Sequence, residues 1–256
     1  MRRRTFLRGL AAWLLAQPLP PSNLWVGKMA VANVQHKSGA QANATSIAVA
    51  FTSAVTAGNT IVVLVAGDSA AGAFTVTDNN SNTYSNTPQY SSNVRADIQV
   101  QVFWAVNPTL TTNPPTITVS SASRFMNLNI REYSGLAASP ADGSAGVTAV
   151  TSIDPELTDS LATTDTDLLV AVFIDGGAAT NGAGAGWGNA DLISSAYNFV
   201  FEDRLNVASG SYQGACDPSS ANTTWMGMIA AFKAAAAAAA KASQALVGSP
   251  AGWWPA

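Results

Sequence analysis

The feature that most restricts the fold is a series of short runs rich in Val, Ile and Thr, separated by turn residues from Thr45 onward. Runs of this kind, bounded by Gly, Asn, Pro and Ser, are typical of β-strands, and almost no helical periodicity lies between them. In "ADIQVQVFWAV", Ile98, Val100 and Val102 share one face because alternate residues of a strand point the same way. The sequence therefore predicts an all-β fold of about a dozen strands, a jelly-roll-like β-sandwich.

Two pairs of segments resemble each other along the chain. "GNTIVVLVAGD" at 58–68 is similar to "DTDLLVAVFID" at 165–175, and "SRFMNLNIREYSG" is loosely similar to "TTWMGMIAAFK". Either the fold contains duplicated halves, or strands in equivalent positions need similar patterns. Because no linker separates the halves, the sequence favours one sandwich domain over two. We place it at 33–233, between a leader at 1–32 and a tail at 234–256.

The N-terminus, "MRRRTFLRGLAAWLLA", resembles a twin-arginine export signal, with Arg3 and Arg4 ahead of Phe-Leu-Arg. This resemblance implies export across the bacterial inner membrane, and "AVA" at 30–32 fits a cleavage site. The alternative is translation from Met29, without a leader. The apolar stretch is far shorter than the roughly 20 residues of a membrane-spanning helix, so no membrane span is predicted.

Charge and composition exclude several functions. Between residues 30 and 233 there are six basic and fifteen acidic residues, a formal charge of −9, which would repel the phosphates of a nucleic acid. The single cysteine, Cys216, excludes an intrachain disulfide. The single histidine, His36, removes most catalytic and metal-binding arrangements. We therefore predict no cofactor and no nucleic-acid partner.

The segment "DNNSN" has the spacing of an EF-hand calcium loop at Asp78, Asn80 and Asn82. However, Thr83 stands where the loop needs glycine, and Gln89 stands where it needs a bidentate Glu. Asn and Asp also favour turns, because their side chains bind neighbouring backbone amides. We predict a hairpin turn and no metal site, with a weak calcium site of another type as the alternative.

A wider resemblance is carried by "GNTIVV", "VTDNNSNTY", "VFWA", "IREYSG", "EDR", "SGSY", "WM" and a final "FK", in this order. Together they resemble uncharacterised bacterial β-sandwich domains of surface or secreted proteins and of some phage-associated proteins. The resemblance covers about 45–233. It implies a jelly-roll-like sandwich exposed outside the cell, with binding or structural roles and no established catalytic residues.

No catalytic arrangement stands out. A glycoside hydrolase needs two carboxylates across a sugar, but the neighbours Glu202 and Asp203 point to opposite faces of a strand. No nucleophile elbow of the form G-x-S-x-G is present. We predict a non-catalytic protein and place a glycoside hydrolase third among the functions. The carboxylates available to such an enzyme are Glu132, Glu156, Glu202 and Asp203.

Aromatic residues in loops suggest a sugar-binding surface. Trp187, Tyr84 and Tyr90 lie in or beside turns, and Asn80 lies in the "DNNSN" segment. These four are the predicted ligand-binding residues. Trp104 and Trp225 have apolar strand neighbours and are predicted to lie in the core.

The C-terminal segment differs from the rest. "KAAAAAAAKASQALV" at 233–247 predicts an alanine-rich helix. Trp253 and Trp254 follow it, and such aromatics often anchor a tail to a partner protein.

The leading function is a secreted or cell-surface binding and adhesion module for polysaccharide or a surface glycan. The alternative is a structural virion component, such as a phage tail or capsid-decoration protein, docked through the tail. Whether the chain forms homo-oligomers is left open.

Overall fold

The computed structural model describes residues 27–42, 44–68, 72–91, 98–122, 125–147, 156–175, 181–194, 197–218 and 225–237. Lys28–Ala236 forms one compact unit. The other unit, Met1–Gly27 with Ala237–Ala256, is described only at Gly27 and Ala237, where the Ala237 amide donates to the Gly27 carbonyl at 2.7 Å. Most of the leader and tail therefore lies outside the described residues. Within those residues, no helix is long and apolar enough to cross a membrane.

All regular structure among the described residues is β-strand, which confirms the all-β prediction. The strands of the first half are β1 (Ala32–Ala42), β2 (Ser46–Ala50), β3 (Thr60–Asp68), β4 (Thr75–Asp78), β5 (Ser85–Asn86), β6 (Tyr90–Ser91), β7 (Ile98–Val106), β8 (Thr116–Ser120) and β9 (Phe125–Ser134). Those of the second half are β10 (Leu136–Val147), β11 (Glu156–Leu157), β12 (Leu161–Ala162), β13 (Asp167–Asp175), β14 (Asn181–Ala183), β15 (Gly188–Ser194), β16 (Asn198–Val207), β17 (Ser211–Tyr212), β18 (Ala215–Pro218) and β19 (Trp225–Ala234).

The strands form two large and three small antiparallel sheets. The first large sheet has the order β1-β9-β3-β7-β5, with β6 also paired to β7. The second has the order β10-β19-β13-β16-β15. The small sheets are β2-β8-β4, β11-β18-β14 and β12-β17. The two large sheets share a pattern. In the first, β9 lies between β1 and β3, and in the second, β19 lies between β10 and β13.

The large sheets pack face to face around a central core, which gives a sandwich-like arrangement. From the first sheet this core takes Val62, Val100 and Val102, and from the second Val170 and Phe199. The alternation read in the β7 sequence is confirmed, because Ile98, Val100 and Val102 all lie in this core. The long strands β3 and β13 are buried on both faces and accordingly read as continuous apolar runs.

Each large sheet also carries small sheets and loops over its outer face. In the first half, Ile61 and Val63 pack there against Ile47 and Val119 of the sheet β2-β8-β4. In the second half, the outer residues form two clusters, listed here by their larger members: Leu161, Leu169 and Ile229, then Phe173, Val200 and Trp225. The prediction that Trp225 is a core residue is confirmed, since the residue is 1% exposed.

The predicted alanine-rich helix begins at Lys233, but Lys233 and Ala234 belong to β19. The remainder of that segment from residue 238, with Trp253 and Trp254, lies outside the described residues. At the other end, the described part of the predicted leader takes part in the fold. Val31 is 2% exposed, and its backbone amide and carbonyl both bind the side chain of Asn206, at 2.7 and 2.9 Å.

Candidate functional site

One edge of the sandwich, where β1 and β9 face β15 and β16, is closed by a buried polar network. Arg131 donates from Nη1 to Oδ2 of Asp203 at 3.0 Å, and both residues are at most 1% exposed. Asp203 also accepts hydrogen bonds from Tyr133, Asn33 and Asn189 at 2.7 to 3.0 Å. Burial raises the pKa of the Tyr133 phenol, so the hydroxyl stays protonated and donates. The network ties β1, β9, β15 and β16 together.

This network extends to the protein surface. Asp191 accepts hydrogen bonds from Ser38, at 3.1 Å, and from Asn129. Nε2 of His36 lies 3.6 Å from Oδ1 of Asp191. Both side chains are about one-quarter to one-third exposed. Side chains from the two large sheets thus bridge this edge along much of β1.

The opposite edge, between β5 and β10, is an open groove. Two adjoining cavities, of about 350 and 170 Å³, lie along it and share Trp104 and Ala141. One wall is formed by Thr83 and residues 85–88, which include β5, and the other by residues 138–141, Gly143 and Ser144 of β10. Trp104, with Phe232, lines the interior side. We call this feature the β5–β10 groove.

The sequence of β10 explains why this edge stays open. Its residues from Leu136 are "LAASPADGSAGV", so most of the wall carries small side chains. A hydroxyl contact between Tyr90 and Ser144, at 3.2 Å, crosses the edge. Glycine at position 146 allows the Tyr90 ring to approach closely, because a Cβ there would lie 2.5 Å from the ring. Small residues thus leave space that larger side chains would fill.

The groove combines one aromatic ring with uncharged polar groups. Trp104 is half-buried and packs edge-to-face on Phe232, with ring centroids 5.3 Å apart. No charged side chain lines either cavity among the described residues. The hydroxyl and amide groups along the walls come from Thr83, Ser85, Asn86, Thr87, Ser139 and Ser144.

The "DNNSN" segment is a turn with a structural role. Asp78 accepts hydrogen bonds from the backbone amides of Asn80 and Asn82 and from the hydroxyl of Tyr84, at 2.9 to 3.0 Å. Burial opposes ionisation, but a further bond from the Asn82 side-chain amide, together with these bonds, lowers the pKa of Asp78 below its usual value. The turn joins β4 to β5, which belong to different sheets, so the hairpin interpretation is wrong. No group of three metal-ligating side chains occurs among the described residues.

The structure does not bring the four predicted ligand-binding residues together. Asn80 binds the backbone of Thr112 on the neighbouring loop through both ends of its amide, at 2.6 and 2.8 Å. Tyr84 packs on the outer core of the first half, with its hydroxyl bound to Asp78. Trp187 packs on the outer clusters of the second half. Tyr90 alone lies beside the groove, through its contact with Ser144.

Three of the four candidate catalytic carboxylates, Glu132, Glu202 and Asp203, are held inside the protein. The side chain of Glu156 lies outside the described part of the chain. Glu132 is fully buried and accepts hydrogen bonds from Gln35, Asn59 and the amide of Thr56. Glu202 lies in the outer layer and accepts a bond from the Gly184 amide at 3.1 Å. Burial raises the pKa of Glu202 to about 8, so it is mainly protonated at neutral pH. These carboxylates, and Asp203 in its ion pair, do not line the groove.

A further carboxyl pair lies at the start of β13. Burial and the adjacent Asp142 carboxylate raise the pKa of Asp167 to about 7. Despite partial desolvation, bonds from Thr164 and Lys233 lower the pKa of Asp142 to about 2. Lys233 lies 2.9 Å from Asp142 and compensates its charge. This pair is part of the strand-end structure, and neither carboxyl lines the groove.

Sequence reasoning missed Trp104 as a site residue. Its apolar strand neighbours predicted a core residue, and its side chain does pack against the central core. It is half-buried because the groove opens at its position on the sheet margin. Comparisons of the chain with protein-family models, curated proteins and solved structures gave no match.

Proposed function

We propose that this protein is a non-catalytic binding module for polysaccharide or a surface glycan, and that the β5–β10 groove is its binding site. The observation that carries the proposal is the position of Trp104 in a groove of hydroxyl and amide groups without charge. Sugar rings present apolar faces that stack on aromatic rings, and hydroxyls that bond to such groups. The larger cavity, of about 350 Å³, is within the range of ligand sites.

The order of strands supports a finer description of the fold. The first half contains β1–β9. If β5 and β6 are counted as one strand, the half has eight strands, and β7, β8 and β9 become the sixth, seventh and eighth. The large sheet then has the order 1-8-3-6-5 and the small sheet the order 2-7-4. Sheets of four strands ordered 1-8-3-6 and 2-7-4-5 make a jelly roll. We therefore propose a jelly-roll-like connectivity in which the fifth strand has moved to the larger sheet. Jelly rolls occur in lectin domains and in viral capsids.

Export and an extracellular location remain part of the proposal, supported by the twin-arginine-like leader. The resemblance to bacterial surface domains favours the same location. A virion component is the other candidate carried by that resemblance. Docking of the tail through Trp253 and Trp254, and self-association, stay predictions.

The proposal can be tested with the full chain and a panel of immobilised polysaccharides. Two variants target the groove. Trp104→Phe reduces the stacking surface but retains an apolar ring beside Phe232, and Ala138→Trp places a bulky side chain on an exposed wall position. We expect saturable binding to at least one polysaccharide, weakened about tenfold or more in both variants.

Trp187→Ala is the matched control, because Trp187 lies on the outer face of the second half. Binding should survive this substitution. Thermal unfolding of each variant, measured in parallel, checks that it is folded. Binding that is lost in Trp187→Ala but retained in both groove variants would overturn the assignment of the site. Absence of binding across the panel would favour the structural role.

A further inference from the structure

From the β5–β10 groove we infer a class of ligand: an uncharged, linear glycan, bound along several of its sugar units and discriminated from acidic polysaccharides. This inference rests on the proposed function, and adds a charge selectivity and a length dependence to it.

The first argument is the chemistry of the groove walls. A site for a carboxylated or sulfated sugar would place Arg or Lys against the anion, because charge-assisted hydrogen bonds are the strong ones. Neither cavity is lined by a basic side chain among the described residues. The hydroxyls of Thr83, Ser85 and Ser139 line the groove and can donate to and accept from sugar hydroxyls. Those of Thr87 and Ser144 already bond within the protein. Neutral sugars satisfy these groups without leaving a charge unpaired.

The second argument is the charge of the surrounding protein. Six basic and fifteen acidic residues lie between residues 30 and 233. Two pairs cancel, Arg131 with Asp203 and Lys233 with Asp142, which leaves four basic and thirteen acidic residues. One of the thirteen, Glu202, is mainly protonated at neutral pH because burial raises its pKa to about 8. A polyanion approaching the groove therefore meets a field of its own sign, which lowers its rate of association and its affinity. A neutral chain does not experience this repulsion.

The third argument is the length of the groove. Its β10 wall runs from Ala138 to Ser144, up to about 20 Å at the rise of an extended strand. The two cavities adjoin at Trp104 and Ala141. One sugar ring could contact Trp104 while its neighbours contact the walls on either side. Affinity should therefore rise with the number of sugar units.

The test measures the affinity of the full chain for soluble oligosaccharides by calorimetry. The probes are cellohexaose, maltohexaose and xylohexaose as neutral chains, their disaccharides, and hexagalacturonate as the acidic chain. We expect at least one neutral hexasaccharide to bind about tenfold or more tightly than both its disaccharide and hexagalacturonate. Because the neutral interaction has no ion pair, added sodium chloride should leave its affinity nearly unchanged.

A variant that adds a cation gives a positive test of charge selectivity. Ser139→Lys changes an exposed residue on the groove wall and places an ammonium group beside the cavity. We expect this variant to bind hexagalacturonate at least about tenfold more tightly than the parent protein at low salt. Ser139→Gln is the control, since it adds length without charge.

The outcomes separate this inference from the function beneath it. If hexagalacturonate binds the parent protein as tightly as the neutral chains, and Trp104→Phe weakens it, the charge selectivity is wrong and the glycan-binding groove stands. If a disaccharide binds as tightly as its hexasaccharide, the length dependence is wrong. If none of these saccharides, and no polysaccharide in the immobilised panel, binds, the proposed function fails as well.

Discussion

Glu202 and Asp203 are adjacent in β16, and replacing each carboxyl by its amide should change stability in opposite directions. Asp203→Asn removes the negative charge that faces Arg131, where both residues are at most 1% exposed. Removing one member of a buried ion pair costs about 3–5 kcal/mol, since the other charge is left uncompensated. The new amide would also replace one of the acceptor oxygens that bind Tyr133, Asn33 and Asn189.

Glu202→Gln should not destabilise the protein. Burial raises the pKa of Glu202 to about 8 from the value of 4.5 expected in the unfolded chain. The stability that this group contributes is therefore complete below pH 4.5 and is lost as the pH rises toward 8. At pH 7, ionisation of the Glu202 carboxyl stabilises the unfolded state by about 3 kcal/mol more than it stabilises the folded state. Glutamine removes this difference, so Glu202→Gln should raise the free energy of unfolding at pH 7, by up to about 3 kcal/mol.

Urea unfolding followed by tryptophan fluorescence measures both effects. At pH 7, Asp203→Asn should lower the free energy of unfolding by about 3–5 kcal/mol, while Glu202→Gln should raise it by up to about 3 kcal/mol. At pH 4.5, Glu202→Gln should be close to the parent protein. The reasoning would be refuted if Glu202→Gln were as destabilising as Asp203→Asn, or if the benefit of Glu202→Gln were greatest at low pH.

Other substitutions test other parts of the structure. A chain that begins at Asn33 should have a free energy of unfolding in urea about 2–5 kcal/mol lower than a chain that begins at Met29. The shorter chain lacks the buried Val31 and its two hydrogen bonds to Asn206. Equal stability of the two chains would contradict the role of Val31. Gly146→Ala should lower the free energy of unfolding by about 1–3 kcal/mol, since the methyl group would lie 2.5 Å from the Tyr90 ring. An unchanged urea midpoint would contradict the close packing of Tyr90 against Gly146. Asp78→Ala should lower the unfolding temperature, because the turn loses the hydrogen bonds that Asp78 accepts. Calcium chloride should leave the unfolding temperature of the parent protein unchanged. A rise with calcium would support a calcium site at this turn.

The sequence predicted the strands well because burial leaves a strong local pattern. β7 alternates, and its apolar set enters the central core as predicted. β3 and β13 are buried on both faces, so their continuous apolar runs could be recognised as strands. The runs do not indicate which residues face the central core and which face an outer cluster. The similarity between 58–68 and 165–175 shows this limit, since it aligns Ile61, in an outer core, with Leu168, in the central core. A shift of one residue exchanges the two faces of a strand.

The groove could not be predicted because it depends on which sheet edges face each other. Pairing of β5 to β7 and of β10 to β19 is set by contacts between residues far apart in the chain. The loop aromatics Tyr84 and Trp187 looked exposed by position, yet both pack on outer cores. Trp104 looked buried by pattern, yet it lines the groove. The sequence does show that β10 is rich in small residues. It does not show that these residues face β5 and so form one wall of a groove.

The most direct test of the groove as the binding site is the nuclear magnetic resonance signal of the Trp104 indole N–H during titration with a neutral hexasaccharide. Trp104→Phe assigns that signal among those of the seven tryptophans. We predict that it shifts in a saturable manner, while the indole signals of Trp187 and Trp225, assigned in the same way, stay in place. A saturable shift of Trp187 with Trp104 unchanged would contradict the account and move the binding site to Trp187, one of the four residues predicted from the sequence.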